Sequence, residues 1–151
     1  MSRPKFRNAL LATVAVMAAA LASSVSSALD ASNTGAKVVV TPLASTTTTA
    51  AGQAITLPQK NVQVLVSTFD IPPGATLPVH KHPSARYAYV LEGQLQVTNV
   101  DTGKSSSYKK GDFIVEMIDV WHQGANVGAE PVRLLVIDQV EQGASNTVLK
   151  Q

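Results

Sequence analysis

The strongest constraint on this chain is how often its apolar runs are cut short. From residue 53 onward they are interrupted at Pro72-Pro73-Gly74, Gly93, Gly103, Gly111, Gly124 and Gly128. The runs between are short and rich in valine, isoleucine and tyrosine, the composition of strands. Asn61–Phe69 alternates, with Val62, Val64 and Val66 on one face. Tyr87–Leu91 and Leu95–Val100 meet at Glu92-Gly93, and Asp101-Thr102-Gly103-Lys104 reads as a hairpin turn with Gly103 available for a positive φ. Phe113–Ile118 is almost continuously apolar, and Val132–Val140 is a long closing strand with both faces mostly apolar. No helical period appears after the N-terminal segment. The predicted fold is therefore all-β, a sandwich or small barrel. A strand apolar on both faces can pack the barrel on one side and a second subunit on the other, so a homodimer is expected.

The N-terminus follows a different pattern. Arg3, Lys5 and Arg7 precede an uncharged apolar run from Ala9 to Leu21, followed by small and polar residues through Ala28. That is the three-part layout of a secretory signal peptide, too short to span a bilayer comfortably. Cleavage after Ala28 or after Ala22 fits a small-residue site. The expected organisation is a signal peptide over 1–28, a lead-in over 29–44 and a β-barrel domain over 45–151. Thr46–Thr49 reads as an edge strand or part of a linker. The formal net charge is +2, but removing residues 1–28 takes three of the 12 basic residues and none of the 10 acidic ones, leaving −1. The basic character belongs to the leader. Neither nucleic acid nor, after processing, a membrane is expected as a partner, and the location is secreted or periplasmic.

There is no cysteine. That excludes a disulfide framework, thiolate catalysis and a cysteine metal site, so any metal must be held by His, Asp or Glu. The chain has three histidines. His80 and His82 stand one residue apart in an extended segment, so both rings leave the same face, about 7 Å apart at the backbone. His122 lies in Val120-Trp121-His122-Gln123-Gly124, and a closed sheet can bring it to the other two. Spacing alone leaves open a plain alternative, exposed polar residues on a half-buried strand.

The stretch from Gly74 through His80, His82 and Arg86 to Gly93 resembles the first motif of the cupin superfamily. That motif runs Gly, five residues, His, one, His, three or four, Glu, six, Gly. Gly111 through Met117, Asp119 and His122 to Asn126 resembles the second motif: Gly, five, Pro, one, Gly, two, His, three, Asn. The resemblance covers about residues 45–141 and implies a double-stranded β-helix, the cupin or jelly-roll barrel. It also implies a divalent transition metal (Fe, Mn, Zn, Ni or Cu) held by His80, His82 and His122. Three positions depart from the pattern: Met117 replaces a proline, Asp119 a glycine, and Arg86 the glutamate ligand. A guanidinium cannot ligate a metal.

Three functions follow. In the first, the histidines bind a metal with open positions for a small molecule, as in an oxygenase or isomerase. Arg86 then turns away or pairs with an anionic substrate, and Glu116 is a candidate stand-in carboxylate or a partner of Arg86. Tyr87 and Tyr89 share a face and are candidate substrate-binding groups. In the second, a metal-free barrel binds an organic acid or sugar without catalysis. In the third, the barrel is structural, and the histidines satisfy one another and water.

Overall fold

The computed structural model describes residues 37–151. The expected signal peptide over 1–28 lies outside the described residues. Thr41–Gln151 form one compact unit. Among the described residues there is no helix; nine strands run β1 (Val62–Ile71), β2 (His80–Lys81), β3 (Arg86–Glu92), β4 (Gln94–Asn99), β5 (Ser105–Lys109), β6 (Phe113–Val115), β7 (His122–Asn126), β8 (Val132–Glu141) and β9 (Val148–Leu149).

The strands form two sheets, one ordered β1-β8-β3-β6 and the other β5-β4-β7-β2-β9, with antiparallel pairing throughout. This is the expected jelly-roll barrel. Alternation puts one face of each strand inside. Ala88 and Val90 of β3, Leu95 and Val97 of β4, and Val132, Leu134 and Val136 of β8 are buried against one another.

Between β3 and β4 the chain passes from one sheet to the other through the single residue Gly93. Its φ is 76°, and a Cβ there would collide with the Pro131 carbonyl oxygen and lie 2.9 Å from Val132 Cα. Only glycine meets both demands. At Asp119 the backbone is also left-handed, with φ 54°. The cupin pattern has glycine at this position, and aspartate is among the few residues that tolerate the same conformation. The departure from the motif therefore preserves the bend.

Two expectations needed correction. The strand expected over Phe113–Ile118 stops at Val115, and the chain then bends through Glu116–Val120. Thr46–Thr49 is neither an edge strand nor a free linker. Thr49 starts a turn in which Ala50 N–H donates to the Val115 carbonyl at 2.8 Å, while Gln53 bonds both the N–H and the carbonyl of Ile118 at 3.1 and 2.7 Å. This turn clips the bend down, which hydrophobic periodicity could not reveal.

Gly93→Ala combines an unfavourable φ with a backbone collision. It is expected to cost about 2–3 kcal/mol, read as a lower midpoint in urea unfolding.

Candidate metal centre

His80 and His122 sit directly opposite each other across β2 and β7. His82, one residue beyond β2, forms a parallel bridge with Ile118. The i, i+2 relation sends His80 and His82 to the same side, and strand pairing brings in His122 from forty residues away. All three rings are buried, at 7%, 0% and 1% exposure. Their centroids lie 4.5–4.8 Å apart, and their candidate ligand atoms lie within 4.8 Å of one another.

Backbone carbonyls set the orientation of each ring. His80 Nδ1 donates to the Pro78 carbonyl at 2.8 Å, His122 Nδ1 to Val120 at 2.8 Å, and His82 Nδ1 to Asn146 at 2.6 Å. A carbonyl oxygen only accepts, so each Nδ1 carries the hydrogen. In the neutral ring Nε2 is then a bare lone pair. His82 and His122 bring these nitrogens to 3.2 Å from each other. Burial lowers the pKa of His80; the Pro78 bond raises it, and the neighbouring His122 and His82 rings lower it further. The net effect favours the neutral form, which is the form that binds metals.

Glu116 joins the cluster from the bend after β6. Its N–H donates to the Arg86 carbonyl at 2.9 Å, and Asp119 N–H donates to the His82 carbonyl at 2.8 Å, so the bend runs alongside the first motif. Glu116 Oε2 lies 3.1 Å from His82 Nε2 and 3.3 Å from His122 Nε2. Burial pushes its carboxyl pKa up, but the close His122 and His82 side chains and the nearby Arg86 guanidinium prevail. They hold it well below the usual carboxylate range.

Arg86 pairs with Asp138 rather than with Glu116. Its Nε donates to Asp138 Oδ1 at 2.7 Å and its Nη2 to Oδ2 at 3.0 Å, a two-pronged pair with both side chains under 10% exposed. Asn146 donates to the same carboxylate. Nη1 is the remaining arm, 3.5 Å from His82 Nε2. The paired guanidinium thus sits beside the cluster with its charge already balanced.

Tyr87 and Tyr89, expected as candidate substrate-binding groups, lie outside the histidine cluster. Arg86, Ala88 and Val90 take the inner positions of β3, so the tyrosines between them face outward. Tyr87 stacks on Phe113 with centroids 6.0 Å apart and donates to Gln139 Oε1 at 3.1 Å. Asp138 and Asn146 were missed by the sequence reading. Asp138 carried a usable signal, as a lone acid on the inner side of the apolar run Val132–Val140. Asn146 carried none, because it acts from a turn beyond the last long strand.

His80 and His122 open onto a cavity of about 30 Å³, lined also by Arg86, Glu116, Phe69 and Leu77. Such a space holds one or two water-sized molecules. Convergent lone pairs with a carboxylate in a largely apolar cup suit a divalent transition ion, which imidazole and carboxylate ligands bind well. The donors present therefore fit a metal.

Residues 67–138 match the family model of the cupin domain. Among solved structures, the polyketide cyclase RemF from Streptomyces resistomycificus is similar with a TM-score of 0.50 at 23% identity, over 58% of this chain and 62% of that one. The DMSP lyase DddQ from Ruegeria pomeroyi DSS-3 is similar with a TM-score of 0.50 at 18% identity, over 58% of this chain and 43% of that one. The matched parts thus cover less than two thirds of either protein, and the likeness is one of fold. No curated protein sequence matches the chain. The domain match takes in all three histidines, Arg86 and Glu116, and the solved structures share the barrel fold.

Proposed function

We propose that this is an exported cupin-fold protein that holds one divalent transition metal through His80, His82 and His122 and presents it to a small molecule. One observation carries this: three Nδ1–carbonyl bonds turn three Nε2 lone pairs toward one another inside the barrel. Facing lone pairs repel unless a cation lies between them, and second-sphere bonds of this kind orient metal-ligating imidazoles. When bound, the metal would supply Lewis-acid polarisation of an oxygen ligand or, if redox-active, activation of dioxygen. The chain's own contribution is positional. The apolar walls exclude bulk water, and the cavity admits only a small ligand or the reacting end of a larger one. Arg86 Nη1 is left as a donor beside it. A metal-free site for an organic acid is less well supported, because it would call on the Arg86 fork that Asp138 already occupies.

Export rests on the three-part N-terminal layout, with residues 1–28 removed to give the secreted or periplasmic protein. The barrel works as a homodimer through the outer face of the β1-β8-β3-β6 sheet. Val62, Val64 and Val66 on edge strand β1 are more than half exposed. Across the same face Tyr87, Tyr89, Phe113, Leu135 and Ile137 line a shallow apolar depression of about 230 Å³. A long apolar edge strand is a template for another strand, and a two-fold axis pairs it with itself.

Protein produced without a histidine tag is expected to contain about one transition metal per chain by elemental analysis. His80→Ala and His82→Ala should each lose most of it; retention in both would end the proposal. Mass spectrometry of exported protein should place the N-terminus near Leu29 or Ser23, and an intact Met1 would refute processing. Light scattering should report a dimer that Val64→Lys converts to monomer, whereas a monomeric wild type would remove the proposed interface.

A further inference from the structure

We propose that Glu116 is the fourth protein ligand of this metal, a carboxylate supplied from the bend after β6 in place of the one that Arg86 displaces from the first motif. This rests on the metal-binding function proposed above and assigns the ligand that completes the site.

Geometry provides the first support. Glu116 Oε2, His82 Nε2 and His122 Nε2 form a nearly equilateral triangle with edges of 3.1, 3.3 and 3.2 Å. Four ligands at metal bond lengths of about 2.0–2.1 Å in a tetrahedron stand about 3.3–3.4 Å apart. One face of such a polyhedron is therefore already laid out at ligand spacing.

Charge provides the second. The Glu116 side chain is only 14% exposed, and among the described residues no lysine or arginine forms a salt bridge with it. Within that reach lie the two imidazole rings. A largely buried carboxylate needs a cation. Arg86, the cation that could serve, is committed on two of its three nitrogens to Asp138. The rings themselves have their hydrogens on Nδ1, directed away from Glu116. A metal ion at the shared focus satisfies the carboxylate and both lone pairs together.

Backbone construction provides the third. The Glu116 N–H is bonded to the Arg86 carbonyl, and Ile118, two residues on, is clamped at both N–H and carbonyl by Gln53. The bend is held from both sides, so the carboxylate is delivered to a fixed place. A set of three imidazoles and one carboxylate also defines the class of ion. It suits divalent Mn, Fe, Co, Ni or Zn and is poorly matched to soft Cu(I).

The test uses the processed full-length protein, stripped with chelator and titrated with Co²⁺, with calorimetry for affinity and visible absorption for coordination. Glu116→Gln keeps the shape and removes the charge. Glu116→Asp keeps the charge and withdraws the oxygens by about 1.5 Å, one C–C bond. Both variants are expected to bind Co²⁺ at least about tenfold more weakly than wild type and to show a changed visible spectrum. The assignment is overturned if both variants match wild type in affinity and spectrum. It is equally overturned if Glu116→Asp matches wild type while Glu116→Gln weakens, since Glu116 would then act through charge alone. Circular dichroism of the stripped variants monitors folding, and if Glu116→Gln misfolds the Asp variant decides. Loss of Co²⁺ in His80→Ala with unchanged Glu116 variants sinks this assignment alone. A wild type that takes up no Co²⁺ sinks the metal function as well.

Discussion

A backbone carbonyl can only accept a hydrogen bond, and in this barrel that restriction governs three imidazoles at once. Pro78, Val120 and Asn146 each present a carbonyl to an Nδ1, so each ring must place its hydrogen there and leave Nε2 bare. The strand pairing between β2 and β7 then sets the separation, because His80 and His122 are direct cross-strand partners. Remove either constraint and three histidines become ordinary polar residues in an apolar cup. With both in place, the barrel interior holds a focus of electron pairs that calls for a cation.

A buried arginine next to such a focus looks self-defeating, since a guanidinium repels a divalent ion. Asp138 resolves the conflict. It takes Arg86 on two nitrogens, and Asn146 holds the same carboxylate from the other side. Asn146 also carries the carbonyl for His82 and accepts from Ser84 N–H at 2.8 Å. One turn near the C-terminus thus sets the orientation of a ring and of the acid that neutralises Arg86. Polar groups this buried are costly unless paired, and breaking one member would strand the others. The whole layer beneath the cavity therefore stands or falls as a unit.

The outer surface follows from the same alternation. Each inward Arg86, Ala88 or Val90 forces its neighbours Tyr87, Leu91 and Tyr89 to the other face. The aromatic groups that seemed available to a ligand are instead part of an apolar sheet exterior. Alternation along β3 from the inward Arg86 places them there. The partner Asp138 on β8 makes the inward position of that charge tolerable.

Strand content, turn positions and the pairing of His80 with His82 were legible in the chain because they depend on neighbours a few residues away. Local periodicity and turn chemistry act at that range, and so does the resemblance that aligned His122 with them. The barrel class and the three-histidine cluster follow from these. The partner of Arg86, the inward turn of Glu116, the clamp from Gln53 and the role of Asn146 were not legible. Each joins residues 34 to 65 positions apart through a side-chain bond. Such bonds leave no period in the sequence, since one polar residue among many looks the same whether it faces solvent or closes a buried network. The chain alone carried the strands and turns and, through its resemblance, the expectation that three imidazoles meet in a closed sheet. Folding decided which acid meets them and which acid restrains the arginine, because only the barrel's closure brings those distant groups within hydrogen-bonding distance.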